Sequence, residues 1–400
     1  MRVLTAFALL LIASSVGHAA DWPQFLGPTR DGASTEAVAQ WTDAPKVLWR
    51  VPVGEAHSSP VIAAGVVYVF FKPAGKDEDA LAAYDAKTGD KKWEKSYPRA
   101  NFTPLFGTGP RGTPAVVGTQ VFTLGNTGVL AAWNTDDGTI LWKVDTLKLF
   151  DAKNLFFGVS TSPIVVGEQV IVMVGGKGAG IVAFSIKDGS TTWKMSDDPA
   201  SYAGPMIDGE RLVFLTGNHL RSIDRAGKEV WQFPFKDALN ESSTTPVRVN
   251  DLIVGGSVTK GSIAFKADGS DAKPTWVNDK LTCYFSTPTV VGTDLYMING
   301  AATIRNPTIV LRCVDGLTGT IRWEKTKVGK YHAAMIRTKN DKLLMLDDAG
   351  RLTLLELNAT EYKQLAQSKV CGETWAHPAL ANGVLYLRDN KELIALAMAK

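Results

Sequence analysis

Three of the five histidines in this 400-residue chain fall at one recurring place, one to three residues ahead of a β-branched hairpin that a proline usually opens. His57 stands in His57-Ser-Ser-Pro60 and His377 in Trp375-Ala-His377-Pro378, while His332 precedes a degenerate copy around Ala334 and Met335. Imidazoles gathered at one place could bind a transition metal or move protons near neutral pH. The same register holds Arg111, Tyr202 and Trp375, and Asn240-Glu241 lies just ahead of it in another copy. Arginine and tyrosine supply hydrogen-bond donors, tryptophan a flat apolar face, and a carboxylate beside an Asn could hold a cation. Against these chemistries, each His could bond a neighbouring backbone group, and Glu241 could pair with a Lys or Arg. The Ser and Thr residues that fill the other copies are expected to bond locally at strand starts. No Ser/His/Asp nucleophile motif, P-loop or dinucleotide fingerprint occurs in a strand-to-helix context.

What must position these residues is a repeat. The hairpin phrase opens at Pro60, Pro114, Pro163, Pro205, Pro246, Pro288 and Pro378, with the eighth copy lacking its proline. Each phrase reads as two short strands around a Gly, Asp or Asn turn. A third strand such as Leu81-Ala-Ala-Tyr-Asp85 follows, then a turn ending in Gly, then a fourth strand that closes on Trp. Four short antiparallel strands per period of about 45 residues are the signature of a propeller blade. Gly175-Gly-Lys-Gly-Ala-Gly180 reads as a hairpin loop within the third copy rather than a phosphate cradle.

The tryptophans count the blades and say how the ring closes. Trp49, Trp93, Trp142, Trp193, Trp231, Trp276 and Trp323 recur 38 to 51 residues apart, and Trp49 stands alone ahead of the first hairpin. The last hairpin, from Pro378, is followed by one more strand and the chain ends. If the strand around Trp49 completes that C-terminal blade, an all-β, eight-bladed propeller of four-stranded antiparallel blades results, with Tyr362 or a near neighbour replacing Trp in the seventh. Closure removes exposed sheet edges. The seven indoles are then expected to wedge between blades, each burying roughly 150–250 Å². Ligands of such rings bind where the loops converge at the channel mouth. The candidate site is therefore His57, Arg111, Tyr202, Glu241, His332, Trp375 and His377, with His57, His332 and His377 as the candidates for a metal.

Ala83-Tyr-Asp85-Ala-Lys-Thr88-Gly89-Asp-Lys-Lys-Trp93 matches the tryptophan-docking motif Ala-x-Asp-x-x-Thr-Gly-x-x-x-Trp, and the chain resembles the PQQ-like β-propeller repeat proteins over residues 46–400. Trp22-Pro-Gln-Phe-Leu-Gly27-Pro28-Thr-Arg-Asp31-Gly32 is similar to the opening of secreted bacterial members. The resemblance implies one of two activities. BamB-like members bind envelope proteins, whereas quinoprotein alcohol and sugar dehydrogenases use pyrroloquinoline quinone (PQQ) with calcium. The dehydrogenases carry a vicinal Cys-Cys pair beside the quinone, whereas Cys283, Cys313 and Cys371 are scattered, and no motif assigns calcium ligands here. BamB carries a lipid-attachment Cys that is absent after this leader. The expectation is a binding or scaffold module for an envelope protein or small molecule, with a quinoprotein dehydrogenase acting at the channel mouth as the alternative.

Arg2, an apolar run from Val3 to Ile12 and the ending Gly17-His-Ala19-Ala20 read as a secretory signal peptide cleaved after Ala19 or Ala20. Residues 21–45 are expected to pack on the propeller. Loss of Arg2 leaves 42 basic and 40 acidic residues, a balance that recruits neither nucleic acid nor an anionic membrane. The mature protein is expected to be a periplasmic or secreted monomer without a transmembrane segment. Cysteine spacing indicates no zinc site, and export would permit a Cys283–Cys313 bridge.

Overall fold

The computed structural model describes residues 21–270, 273–301 and 305–398. The leader at residues 1–20 lies outside them. Among the described residues there are eight four-stranded antiparallel sheets and one short helix, Thr146–Leu149. The sheets form successive blades over residues 61–98, 115–145, 164–195, 206–234, 247–278, 289–326, 333–369 and 379–397. The eighth takes its outer strand, Val47–Pro52, from the other end of the chain, with Trp49 opposite Ala395.

Strand position within a blade explains the residue pattern. The inner strands are buried on both faces and read as continuous apolar runs, as in Val66–Phe71. The outer strands meet water on one face and alternate, as in Lys91–Pro98, where Trp93 and Tyr97 alone are buried. Hairpin turns such as Ala64-Gly65 and Asn382-Gly383 place both central residues at positive φ, which matches the strand twist. Facing blades then share apolar layers, as where Tyr68, Phe70 and Leu81 meet Val121, Ala131 and Trp133.

Six of the seven docking indoles lie on the Gly turn of the next blade rather than their own, and the seventh, Trp323, lies on the turn at Asn358, which has no Gly. A Cβ on Gly89 would stand 2.8 Å from Trp49, and one on Gly138 would stand 2.4 Å from Trp93. Gly189, Gly227, Gly269 and Gly319 meet Trp142, Trp193, Trp231 and Trp276 in the same way. All six glycines have φ between 71° and 81°, so the turn needs Gly twice over, for conformation and for clearance. The indole Nε1–H donates to a backbone carbonyl of that next turn, for instance Trp49 to Ala86 at 3.1 Å. Trp193 departs from this and donates to the Gln169 side chain.

The seventh blade corrects one expectation. In blades 1, 2, 3, 4 and 6 the Trp follows a register shift, as where Trp93 lies opposite Ala83, and the residue at that place in blade 7 is Ala366, opposite Leu354. Tyr362 does not replace the missing indole; it lies edge-on to Trp323 at 6.0 Å, on the receiving turn. An indole comes instead from the N-terminal segment. Trp41 packs against the cluster that contains Ala366 and donates to Ser368 Oγ at 3.1 Å. The three cysteines are free and buried, so the Cys283–Cys313 bridge that export would permit does not form.

Residues 21–41 run across the ring. Trp22 pairs with Ile62 of blade 1, and Val116 of blade 2 donates to the Pro23 carbonyl. Buried Arg30 donates to the Pro205 and Pro163 carbonyls of blades 4 and 3. Gly32 and Ser34 then pair with Arg337 of blade 7. The segment therefore crosses the central channel and seals it from within.

Candidate functional site

The residues ahead of each innermost strand form a ring of linked blades. The His377 N–H donates to Ser59 Oγ at 3.0 Å, Ser59 N–H to Thr113 Oγ1, and Thr113 N–H to Ser162 Oγ. Thr245 N–H likewise donates to Thr287 Oγ1. In these four bonds a backbone N–H reaches a hydroxyl of the next blade, which links blades 8, 1, 2 and 3, and blades 5 and 6, as a collar at the mouth.

Inside the collar lies a cavity with about 740 Å³ of empty space, counting its open side, lined by His57, Arg111, Tyr202, His332, Trp375 and His377. Six of the seven residues singled out from sequence therefore meet there. Glu241 does not line it: its carboxylate accepts from the Tyr284 hydroxyl, and that ring stacks on Phe285 at 3.6 Å. The remaining aromatic wall is Phe25, Phe106, Phe157 and Phe285: Phe285 stands at the same register as His57 and Tyr202, three residues ahead of Pro288, but was not among the candidates, whereas Phe25, Phe106 and Phe157 lie in the N-terminal segment and inter-blade loops, where the repeat gives no register.

The cavity has a floor and a roof. Phe25 contacts the His377 ring at 5.3 Å and would lie 3.2 Å from a Cβ on Gly204, which places it level with the residues immediately before the innermost strands. Trp375 stands two residues farther out, in contact with the rings of His57, Phe106, Phe285 and Tyr331 at 5.0–5.7 Å. Beyond this roof an outer vestibule of about 850 Å³ is lined by Glu55, Lys330, Asp348 and Glu373 together with Trp375. The inner cavity is apolar above and below and polar around its wall, whereas carboxylates are confined to the vestibule.

The imidazoles are neutral and two have fixed tautomers. His332 Nδ1 lies 2.8 Å from the Phe285 carbonyl, which can only accept, so Nδ1 carries the proton and Nε2 bears a lone pair. His57 Nε2 donates to the Phe106 carbonyl by the same reasoning, leaving Nδ1 as the acceptor. Both acceptors, His332 Nε2 and His57 Nδ1, are buried without a partner. Burial lowers the pKa of His57 to about 3, helped by the neighbouring Arg111 charge and opposed by the Phe106 bond. Burial likewise lowers His332 to about 4 and His377 to about 3. Arg111 is held by the Phe157, Leu105 and Gly107 carbonyls, and burial lowers its pKa to about 10. The Tyr202 hydroxyl accepts from the Phe157 N–H, which leaves its own proton to donate. Among the described residues no group of three or more His, Cys, Asp or Glu is spaced to hold a metal, so the three imidazoles share a cavity without forming a ligand set.

Eight blades, with six tryptophans docked on the glycine turn of the next blade, define a PQQ-like β-propeller. A family model described as outer membrane protein assembly factor BamB matches residues 32–106 and 99–306, and the chain belongs to that family. An outer membrane protein assembly factor BamB from Yersinia pestis is 22% identical over 298 residues, which is 69% of this chain and 71% of the relative. The crystal structure of BamB from Moraxella catarrhalis superposes with a TM-score of 0.61 at 15% identity, covering 88% of this chain and 97% of that one. A quinohemoprotein alcohol dehydrogenase from Comamonas testosteroni superposes with a TM-score of 0.66 at 12% identity, covering 95% of this chain and 81% of the other. At these identities the superpositions establish the fold alone.

The quinone cofactor of the dehydrogenase branch can be tested against this wall. Calcium takes six to eight oxygen ligands, carboxylates prominent among them, and the inner cavity offers none. A polyanionic quinone also needs cationic donors, and with Nε and Nη2 of Arg111 engaged by three carbonyls, its Nη1 is the one guanidinium nitrogen left for it in the cavity wall. The inner cavity, which offers no carboxylate, does not fit calcium-bound PQQ.

Proposed function

We propose that this protein is an exported binding module of the cell envelope that holds its ligand at the channel mouth, with residues 21–45 as the plug and residues 46–400 as the propeller. The observation that carries this reading is the cavity itself. His57 and His332 each bury an imidazole acceptor without a partner, and Trp375 contacts the His57 ring together with Phe106, Phe285 and Tyr331. The rim supplies a second contact zone for an envelope protein, since Leu105 and Phe156 are 58% and 66% exposed beside Arg111. Relatives named as outer membrane assembly factors support a scaffold role in the same compartment. Among the described residues no helix is long and apolar enough to cross a membrane.

The direct test is to incubate the mature protein with PQQ and calcium, then measure dye reduction with alcohols and aldoses. A binding module shows no quinone-dependent turnover. Quinone-dependent oxidation of an alcohol or aldose would replace the reading with a dehydrogenase.

A further inference from the structure

The wall of the inner cavity carries a single fixed charge, and it is positive. Among the described lining residues Arg111 alone is ionised near neutral pH, since no carboxylate lines the space and its three imidazoles are neutral. Backbone carbonyls hold the guanidinium through Nε and Nη2, and Nη1 has no partner. The Phe157 backbone sets a second donor beside it. Its carbonyl accepts from Arg111 Nε, and its N–H donates to the Tyr202 hydroxyl, which keeps its own proton because burial raises the phenol pKa. Glu55, whose charge reaches Arg111 at a distance, lies in the vestibule, where the Thr108 N–H and hydroxyl donate to it. Arg30 adds charge of the same sign: it is buried in the plug against the Pro163 and Pro205 carbonyls and the Gln24 side chain, with no carboxylate partner among the described residues. Carbonyl dipoles orient a guanidinium without cancelling its charge, and away from bulk water that charge acts more strongly. A cation is repelled here, and a dianion would press its second charge against Phe25, Phe106, Phe157, Phe285 and Trp375. One carboxylate on an apolar body matches the wall.

We propose that the inner cavity binds a small monocarboxylate with an apolar body, its carboxylate paired with Arg111 Nη1 and the Tyr202 hydroxyl and its body among Phe25, Phe106, Phe285 and Trp375. This rests on the reading of the channel mouth as a binding site. The pairing is ionic and involves no covalent step. Because three carbonyls already hold the guanidinium, little side-chain freedom is lost when the carboxylate arrives. The unpaired nitrogens of His57 and His332 are closed off from the space and take no part. The ligand enters from the vestibule side, because residues 22–32 close the other end through Arg30 and the Trp22 pairing with Ile62. Glu55, Asp348 and Glu373 in the vestibule oppose an entering anion in proportion to its charge, which again favours one carboxylate over several.

Isothermal titration calorimetry of the mature protein reads the preference for charge. The probes are benzoate, phenylacetate and cyclohexanecarboxylate, each compared with its own neutral amide, with benzylamine as the cationic control and phthalate as the dianionic one. At least one monocarboxylate should saturate the protein about tenfold or more tightly than its amide, benzylamine or phthalate. Arg111→Gln should bring that acid and its amide within about twofold of each other, whereas Trp375→Ala should weaken both together. The ratio of acid to amide does not depend on how much of a variant is folded, so a folding defect cannot imitate the first result. Should Arg111→Gln fail to fold at all, the comparison of acid with amide on the wild type still decides, and Arg111→Lys, which keeps the charge, should retain the preference for the acid. Tighter binding of benzoate than of cyclohexanecarboxylate identifies a planar body, and the reverse order an aliphatic one. An amide that binds as tightly as its acid, or no saturable binding of any monocarboxylate up to about 10 mM, overturns the proposal. If the amides or another species still bind at the mouth, only the monocarboxylate is refuted; if nothing binds there, the binding-module reading fails with it.

Discussion

Acidification should destabilise this propeller through three buried imidazoles well before most carboxylates titrate. Their folded pKa values lie at about 3 for His57, about 4 for His332 and about 3 for His377, all below the value of about 6.5 in an unfolded chain. Between those limits the unfolded chain binds protons that the folded one refuses, so stability falls as pH falls through 6.5 and continues to fall toward the folded values. At pH 5.5 each group costs on the order of 1 kcal/mol, or about 3–4 kcal/mol for the three. Asp79 acts in the opposite sense. Burial raises its pKa to about 6, against the pull of Arg99, so its protonation in the folded state offsets somewhat less than about 1 kcal/mol at pH 5.5. The net loss between pH 7.5 and 5.5 should therefore be about 3 kcal/mol, measured by urea unfolding at the two pH values. His377→Gln or His332→Gln should each remove on the order of 1 kcal/mol from that difference. A loss below about 1 kcal/mol, or an undiminished loss in both variants, would refute the neutral, buried assignment.

Other consequences concern the ring. Trp49→Ala removes the indole that joins the chain ends and should cost about 3–5 kcal/mol, seen as a lower urea midpoint. Gly89→Ala should destabilise through both its φ of 77° and the 2.8 Å approach to Trp49, whereas Gly65→Ala, which has φ of 75° but open space, should cost less in the same assay. Trp41→Ala should lower stability by about 2 kcal/mol although the residue lies outside every blade, since it packs on the core that blades 7, 8 and 1 share and bonds Ser368.

The ring was legible in the sequence because its devices repeat. The Gly-to-Trp phrase and the proline hairpin each recur at fixed register, so an unpaired Trp49 pointed to closure by the terminal strands, as observed. Repetition also placed His57, His332 and His377 at one mouth. It failed where the chain departs from the repeat. Ala366 has no aromatic signal, so the eye falls on Tyr362, and the compensating Trp41 is separated from Ser368 by 327 residues. Phe106 and Phe157 lie in loops of irregular length, where neither period nor register says which way a ring points. Phe25 was visible only as part of the opening phrase, with nothing local to place it inside the channel. Glu241 lay near the right register, but one hydrogen bond to Tyr284 turned it away.

The central claim is that the cavity under Trp375 is where this protein binds its ligand. Native mass spectrometry of the mature protein, purified gently from its own envelope, tests it most directly when compared with Ser160→Trp, which places an indole into the cavity wall. The account predicts an adduct of defined mass on the wild type that is absent from the variant, with equal thermal stability of the two proteins. An adduct retained by the blocked variant, or none on either protein, would contradict it.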